Sequence, residues 1–229
     1  VGRRHWSSVA SGSGSKLPAR LKSCGGAGVA QKRHAMSEPL APELFRSRGT
    51  PALARSLLGK LLVRVSPDGA VRRHRIVEVE AYHGGADRAC HANRGKTART
   101  SVMFEPGGVW YVYLCYGMHE MLNLVTGPAE FPAAVLIRGV EGISGPGRVT
   151  KALAAGRALN GAAAAPASGL YLEDDGLRVP RALIRATPRI GVDYAGPVWA
   201  AKPWRFFYDP SELAVRPGRR RAQSGSTPA

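Results

Sequence analysis

A regular alternation of apolar and polar positions sets in near Leu40 and persists to about Tyr208. Thr50-Pro51 reads as a helix start, with Thr as N-cap and Pro in the first helical position. Leu53, Leu57 and Leu58 form one face of that helix, and Gly59 closes it. Leu61 to Val65 follows as a strand, then the turn Pro67-Asp68-Gly69 and a second strand from His74 to Tyr82. Val109 to Tyr116 and Met121 to Thr126 are two further β-type runs joined by a tight hairpin, and Ala133 to Gly139 is a fifth. A short helix is predicted after Gly145-Pro146-Gly147, running through Val149 to Leu159, with a loop from Gly161 to Ser168. Tyr171-Leu172, Ile190-Gly191-Val192 and Trp204 to Tyr208 supply late short strands. Strands adjoin strands with few helices between them. The expected fold is therefore α+β: a single compact domain with a mostly antiparallel, curved, open-barrel-like sheet, flanking helices and a protruding β-hairpin.

Composition refines the boundaries. Residues 1–35 are rich in Ser and Gly, carry seven Lys or Arg and no acid, and show no apolar periodicity, which reads as a disordered basic tail. Met36 is favoured as the native start, an organelle transit peptide being the other reading of that stretch. Residues 210–229 form a second basic tail, leaving 36–209 as the folded domain. Much of the formal charge of +17 lies in those tails; between residues 36 and 215 there are 22 basic and 16 acidic residues, a net of +6. A moderately basic domain suits a polyanion such as nucleic acid, because each neutralised phosphate releases a counterion. Apolar runs such as Val109 to Tyr116 are too short to span a bilayer, so no membrane is expected. Cys24, Cys90 and Cys115 are odd in number and irregular in spacing, which favours a reducing, intracellular compartment.

The densest chemistry lies between Ile76 and His91. Alternation along Ile76–Tyr82 puts Val77, Val79 and Ala81 on one strand face and Glu78, Glu80 and Tyr82 on the other. Carboxylates two apart on a strand stand about 6–7 Å from one another, near the separation used by two-carboxylate sugar hydrolases. A carboxylate beside an electron-poor anomeric carbon can position and deprotonate water. The competing reading pairs Glu78 and Glu80 with Arg73, Arg75 or Arg138. His83, Asp87, Cys90 and His91, with Glu80, match no familiar metal-binding spacing, and no metal is expected. In Trp110–Tyr116, Tyr111 and Tyr113 share one face, and Trp110, Val112, Leu114 and Tyr116 the other. Tyr116 and Met118 fall at the hairpin turn, where no core can receive them. On a basic protein such a tip suits a wedge between base steps, or equally a protein-contact knob.

Arg75-Ile-Val-Glu-Val-Glu-Ala-Tyr82, Met103-Phe104, Tyr111-Val-Tyr-Leu-Cys-Tyr-Gly-Met118, Asn123, Val135-Leu-Ile-Arg138, Gly145-Pro-Gly147, Arg189-Ile-Gly-Val-Asp-Tyr-Ala-Gly196 and Lys202-Pro203 occur in that order. Together they resemble the alkyladenine (3-methyladenine) DNA glycosylase family of bacteria and animals. The resemblance runs from about Leu40 to Tyr208, outside both tails. It implies a monomeric, cofactor-free, monofunctional enzyme that flips damaged purines out of duplex DNA. Such an enzyme hydrolyses the N-glycosidic bond, leaves an abasic site and so initiates base excision repair. The implied substrates are 3-methyladenine, 7-methylguanine, hypoxanthine and ethenoadenine. A cytoplasmic, nucleoid-associated setting follows for a bacterial protein, and a nuclear or organellar one for a eukaryotic protein.

By position, Glu80 is implied to activate the water and Arg138 to help hold the water and the flipped nucleotide. Tyr82 and His91 are implied as one wall of a base pocket and Tyr113 as the other, with Asn123 excluding normal guanine. Tyr116 matches the intercalating residue, with Met118 beside it. Arg94, Arg99, Arg148 and Lys202 are expected to contact the DNA backbone. Cys90, Ala98 and Glu105 depart from the family's usual residues, which bears on pocket shape. Two other readings compete: a non-catalytic minor-groove binder, and a hydrolase of small nucleosides using both Glu78 and Glu80.

Overall fold

The computed structural model describes residues 37–214. The strands are β1 (Glu38–Pro39), β2 (Leu61–Val65), β3 (Val71–His83), β4 (Trp110–Cys115), β5 (His119–Val125), β6 (Ala133–Val140), β7 (Ile143–Ser144), β8 (Leu170–Asp174), β9 (Arg185–Thr187) and β10 (Arg205–Phe207). The helices are α1 (Thr50–Leu57), α2 (Pro146–Leu153), α3 (Pro197–Ala200) and α4 (Pro210–Ala214), supplemented by short 3-10 turns. Among the described residues every strand pairing is antiparallel. The main path runs β1-β8-β2-β3-β6-β5-β4, with β10 linking β3 to β9 and β7 beside β6. The α+β antiparallel sheet is thus as expected, and it does not close into a barrel. No helix among the described residues is long and apolar enough to cross a membrane.

One long strand organises the sheet. The first half of β3 pairs with β2, the second half with β6 and β10. Strict alternation does not survive along its whole length. Ile76 is buried in the same core as Val79 and Ala81, because the register with β6 shifts on either side of Glu78. The shift is a bulge, and it lets one strand serve the core at its start and a polar cleft at its end. Gly139 stands opposite Glu78; a Cβ there would lie 3.1 Å from that of Glu78, so glycine makes the room.

The apolar face of the sheet buries Leu62, Ile76, Val79, Trp110, Val112, Leu122, Leu124, Val135, Ile137 and Phe206 against Leu57 of α1 and Val149 and Leu153 of α2. Full burial of such side chains contributes about 1.5–3 kcal/mol each, which holds the sheet rigid behind the site. Trp110 adds a hydrogen bond, its indole N–H donating to the Leu170 carbonyl at 2.8 Å. The assignment of Trp110 and Val112 to the core and of Tyr111 and Tyr113 to the other face holds.

Four local expectations need correction. Helix α1 is capped by Gly49, and Thr50 lies inside it, its hydroxyl bonded to that of Thr126 at 3.1 Å. Helix α2 begins at Pro146 and stops at Leu153, because Ala154 takes a left-handed conformation (φ 47°); only a 3-10 turn, Arg157–Leu159, follows. Apolar periodicity could not reveal a non-glycine residue in that region. Ile190-Gly191-Val192 is not a strand. Gly191 has φ 73°, and the Ile190 N–H bonds a side chain instead of a ladder partner. Finally, β3 starts at Val71, and β1, β7 and β9, of two or three residues each, were too short to carry a period.

Candidate active site

The polar half of β3 faces a cleft of about 850 Å³ whose walls include Tyr82, His91, Tyr113, Asn123 and Arg138. Arg94, Arg99, Tyr116 and Tyr194 also line it. The structure therefore gathers around one cavity most of the residues singled out from sequence. Glu80, Met118, Arg148 and Lys202 are not in its lining. Met118 is exposed at the hairpin tip and Arg148 is exposed on α2. The Lys202 ammonium lies over Trp199 and Trp204, at 5.7 and 5.9 Å from the ring centres.

Glu80 is fully buried and meets the cleft through its hydrogen-bond partners Tyr82, Arg138 and Ile190, which line it. Its Oε1 accepts the Ile190 N–H at 2.8 Å, and its Oε2 accepts the Tyr82 hydroxyl at 2.9 Å. An Arg138 Nη1 donates to Oε2 at the longer distance of 3.4 Å. A carboxylate offers about four acceptor positions, so these three donors leave one for a further partner. Burial pushes Glu80 above its ordinary value, and the opposing pull of Arg138, the Ile190 N–H, Tyr82 and Arg189 does not cancel it. A desolvated, incompletely compensated carboxylate is a stronger proton acceptor than one in water.

Glu78 is a different kind of carboxylate. Its Oε1 accepts from Arg138 Nε at 3.1 Å and from Arg205 Nε at 2.6 Å, so two guanidinium groups neutralise it. The ion-pair reading of this strand holds through Arg138 for Glu78 and, at the longer distance, for Glu80. Arg73 and Arg75, however, reach Glu173 and Asp175 instead.

The aromatic walls are arranged differently from the resemblance. His91 and Tyr113 meet edge to face with ring centres 4.5 Å apart, which leaves no room for a base between them. They form one wall together, with Tyr111 behind at 5.4 Å from Tyr113. One face of Tyr82 is covered by the Arg189 guanidinium at 4.8 Å. Burial, with help from the nearby Arg99 cation, lowers His91 to about 4, so its imidazole is neutral at neutral pH. Burial also raises the Tyr113 and Tyr82 phenols. The Asn123 amide is pinned by its N–H donors to the Tyr111 and Met121 carbonyls, each at 3.2 Å, and is buried in the floor.

Beyond the cleft, β4 and β5 end in the loop Tyr116-Gly117-Met118. Tyr116 and Gly117 both have positive φ (50° and 70°), and Met118 N–H bonds the Cys115 carbonyl at 3.2 Å. Hairpin turns of this kind favour Asn-Gly at the two central positions. A tyrosine there is strained, a cost of order 1–3 kcal/mol, and its ring is 88% exposed. Strain spent on holding a large apolar ring in solvent marks a contact surface.

The sequence did not reveal the pair that braces this site. Arg189 and Asp87 are fully buried and bond bidentately at 2.6 and 2.9 Å. Arg189 also donates to the Ala81 carbonyl at 2.9 Å, between Glu80 and Tyr82 on the strand, and so fixes the loop that presents the Ile190 N–H. Asp87 in turn accepts the N–H groups of His83 and Ala89. Asp87 was considered above as a possible metal ligand. Its carboxylate is taken up by Arg189, and the neighbouring Cys90 thiol is buried and pushed up to about 12.

A buried carboxylate beside an aromatic cleft, with an exposed tyrosine at a nearby hairpin tip, fits the class of base-excising nucleic-acid hydrolases. The family model for methylpurine-DNA glycosylase matches residues 44–144 and 141–212. Among similar proteins, one from Anaeromyxobacter dehalogenans (strain 2CP-C) is 47% identical over 184 residues, covering 77% of this chain and 86% of its own. One from Methanocella arvoryzae is 49% identical over 189 residues (74% and 92%), and one from Myxococcus xanthus 47% over 192 (79% and 97%). All three carry the name "Putative 3-methyladenine DNA glycosylase". The chain belongs to the methylpurine-DNA glycosylase family. It is a DNA glycosylase, a hydrolase acting on N-glycosyl bonds in DNA.

Proposed function

We propose that the enzyme releases alkylated and deaminated purines from duplex DNA as a monomer, using Glu80 to activate the attacking water. The observation that carries this reading is Glu80 itself: fully buried, raised by burial, and bonded to Tyr82, Ile190 and Arg138, all of which line the aromatic cleft. The duplex is held through its phosphates by the exposed Arg94 and Arg148. The Tyr116 ring enters the stack, with Met118 beside it, and takes the place of the extruded nucleotide. The base lies between Tyr82 and the wall made by Tyr113 and His91, where stacking is worth about 1–3 kcal/mol per base. Asn123 disfavours normal guanine through the exocyclic amine of that base.

Water between Glu80 and the sugar gives up a proton to the carboxylate as its oxygen bonds the anomeric carbon. The C1′–N9 bond breaks and its electron pair leaves with the purine. A base methylated at N3 or N7 carries positive charge, departs neutral and needs no proton. Arg138, which bridges Glu78 and Glu80, keeps the carboxylate oriented and ionised. With His91 neutral and the phenols raised, the cleft offers no strongly acidic side chain to protonate a neutral leaving group. Hypoxanthine and ethenoadenine are accordingly slower substrates than 3-methyladenine or 7-methylguanine.

Duplexes bearing each of these four lesions singly, incubated with the protein and then treated with alkali, test the reading. Strand breaks at the lesion, absent without alkali, are expected. Absence of breaks for every lesion contradicts it, and so does hydrolysis of free nucleosides at rates matching duplex DNA.

A further inference from the structure

Among the basic side chains lining the cleft, Arg99 differs from the rest. Its guanidinium lies over the ring of Tyr113, 5.2 Å from the centroid. It therefore occupies, in the free protein, aromatic surface that a flipped base would need. Its charge is also felt by the neighbouring rings, lowering His91 and opposing the upward effect of burial on Tyr111. Arg189 covers Tyr82 in a similar way, but that cation is fully buried and neutralised by Asp87. Among the described residues no carboxylate lies within ion-pairing distance of Arg99. Lys96, three residues earlier, is already engaged by Glu130 at 2.9 Å.

The backbone under Arg99 cannot retreat far. Thr100 is buried, its hydroxyl accepting the Thr97 N–H at 2.9 Å and donating to the Gly95 carbonyl at 3.1 Å. The Ser101 N–H bonds the Thr97 carbonyl at 2.8 Å. The side chain can rotate off Tyr113 towards a phosphate, but its charge stays at the lip of the cleft. Two consequences follow from elementary electrostatics. Any entering base must displace Arg99 from the ring, and this cost is the same for all bases. A base that is itself a cation also meets a like charge at short range in a partly desolvated site, whereas a neutral base does not.

We propose that Arg99 is a specificity-determining residue that holds the stacking face of Tyr113 in the free enzyme and selects against positively charged bases. The proposal rests on the glycosylase reading above and sharpens it. Intrinsic leaving ability favours cationic lesions strongly; Arg99 narrows that advantage and lets neutral lesions compete. An arginine acting only as a phosphate contact would instead affect all lesions alike.

The test is the ratio of single-turnover excision rates, at saturating enzyme, for 7-methylguanine (cationic) over hypoxanthine (neutral) in the same duplex context. Wild type, Arg99→Ala, Arg99→Gln and Arg99→Lys are compared. Phosphate contact and ring displacement cancel in the ratio, so it isolates charge. The ratio is expected to rise about threefold or more in the Ala and Gln variants and to stay near the wild-type value in Lys, which restores the charge. An active wild type whose ratio is unmoved or falls in Arg99→Ala overturns this inference alone. A wild type that releases neither base overturns the glycosylase reading and this inference with it.

Discussion

Carboxylates along β3 are treated in two opposite ways. On the first half, Arg73 and Arg75 reach across to Glu173 and Asp175 at the end of β8, while Lys60 and Arg178 hold Asp174. Burial alone would raise Glu173 and Asp174, but the bonds from Arg73 and Ser37, and from Arg178 and Lys60, hold both below their ordinary values. Asp175 is lowered chiefly by Arg75. On the second half, Glu78 is likewise held by Arg138 and Arg205, but Glu80 has no exposure at all and only one cation in reach of an ion pair, at 3.4 Å; there burial prevails and the group is raised. Abundant pairing makes a carboxylate a structural fixture. Incomplete pairing in a dry place leaves it basic, and that is where the proposed mechanism puts the chemistry.

Five substitutions sharpen or break this comparison. Glu80→Gln removes the proton acceptor while keeping shape, and single-turnover base release should fall about 10²–10⁴-fold. Lesion-duplex affinity in a gel-shift titration should survive it. Next comes Arg189→Met, which leaves Asp87 charged and alone in the interior. Breaking a buried pair this way costs about 3–5 kcal/mol, measurable by urea denaturation, and Asp87→Asn should cost a similar amount because it leaves the Arg189 cation buried without its counter-ion. Arg138→Gln takes away the largest influence lowering Glu80. The acid limb of the pH–rate profile should then move to higher pH. The smallest effect is expected from Arg73→Ala, whose guanidinium is 41% exposed. A loss of about 1 kcal/mol or less in stability, with base release unchanged, is the expected outcome.

Much of this site could be read in the chain because it is local. Glu78, Glu80 and Tyr82 are neighbours on one strand, and Tyr111 and Tyr113 on another, so period-two reasoning placed their faces correctly. The exposed hairpin tip followed from large apolar residues at a turn. What escaped is long-range. Asp87 and Arg189 are 102 residues apart, and Ile190 reaches Glu80 across 110. No periodicity links such positions, although Arg189 opens one of the segments that carried the family resemblance. The edge-to-face packing of His91 on Tyr113 was equally hidden, since it depends on the path of the loop between β3 and β4.

The most direct test of the comparison is the pH dependence of excision itself, measured as the single-turnover release of 7-methylguanine by the wild-type enzyme with circular dichroism recorded at each pH. Glu80 must be ionised to accept the proton of water, and its value is raised. The rate should therefore fall on acidification through a group above the usual carboxylate value of 4.5, while the fold persists. The carboxylates of residues 173–175 are lowered, so the stability they contribute is lost only at lower pH, as the solution falls through their depressed values. Activity is predicted to disappear before structure does. A rate that stays flat until the protein unfolds would contradict the account, because the working carboxylate would then be no more basic than the structural ones.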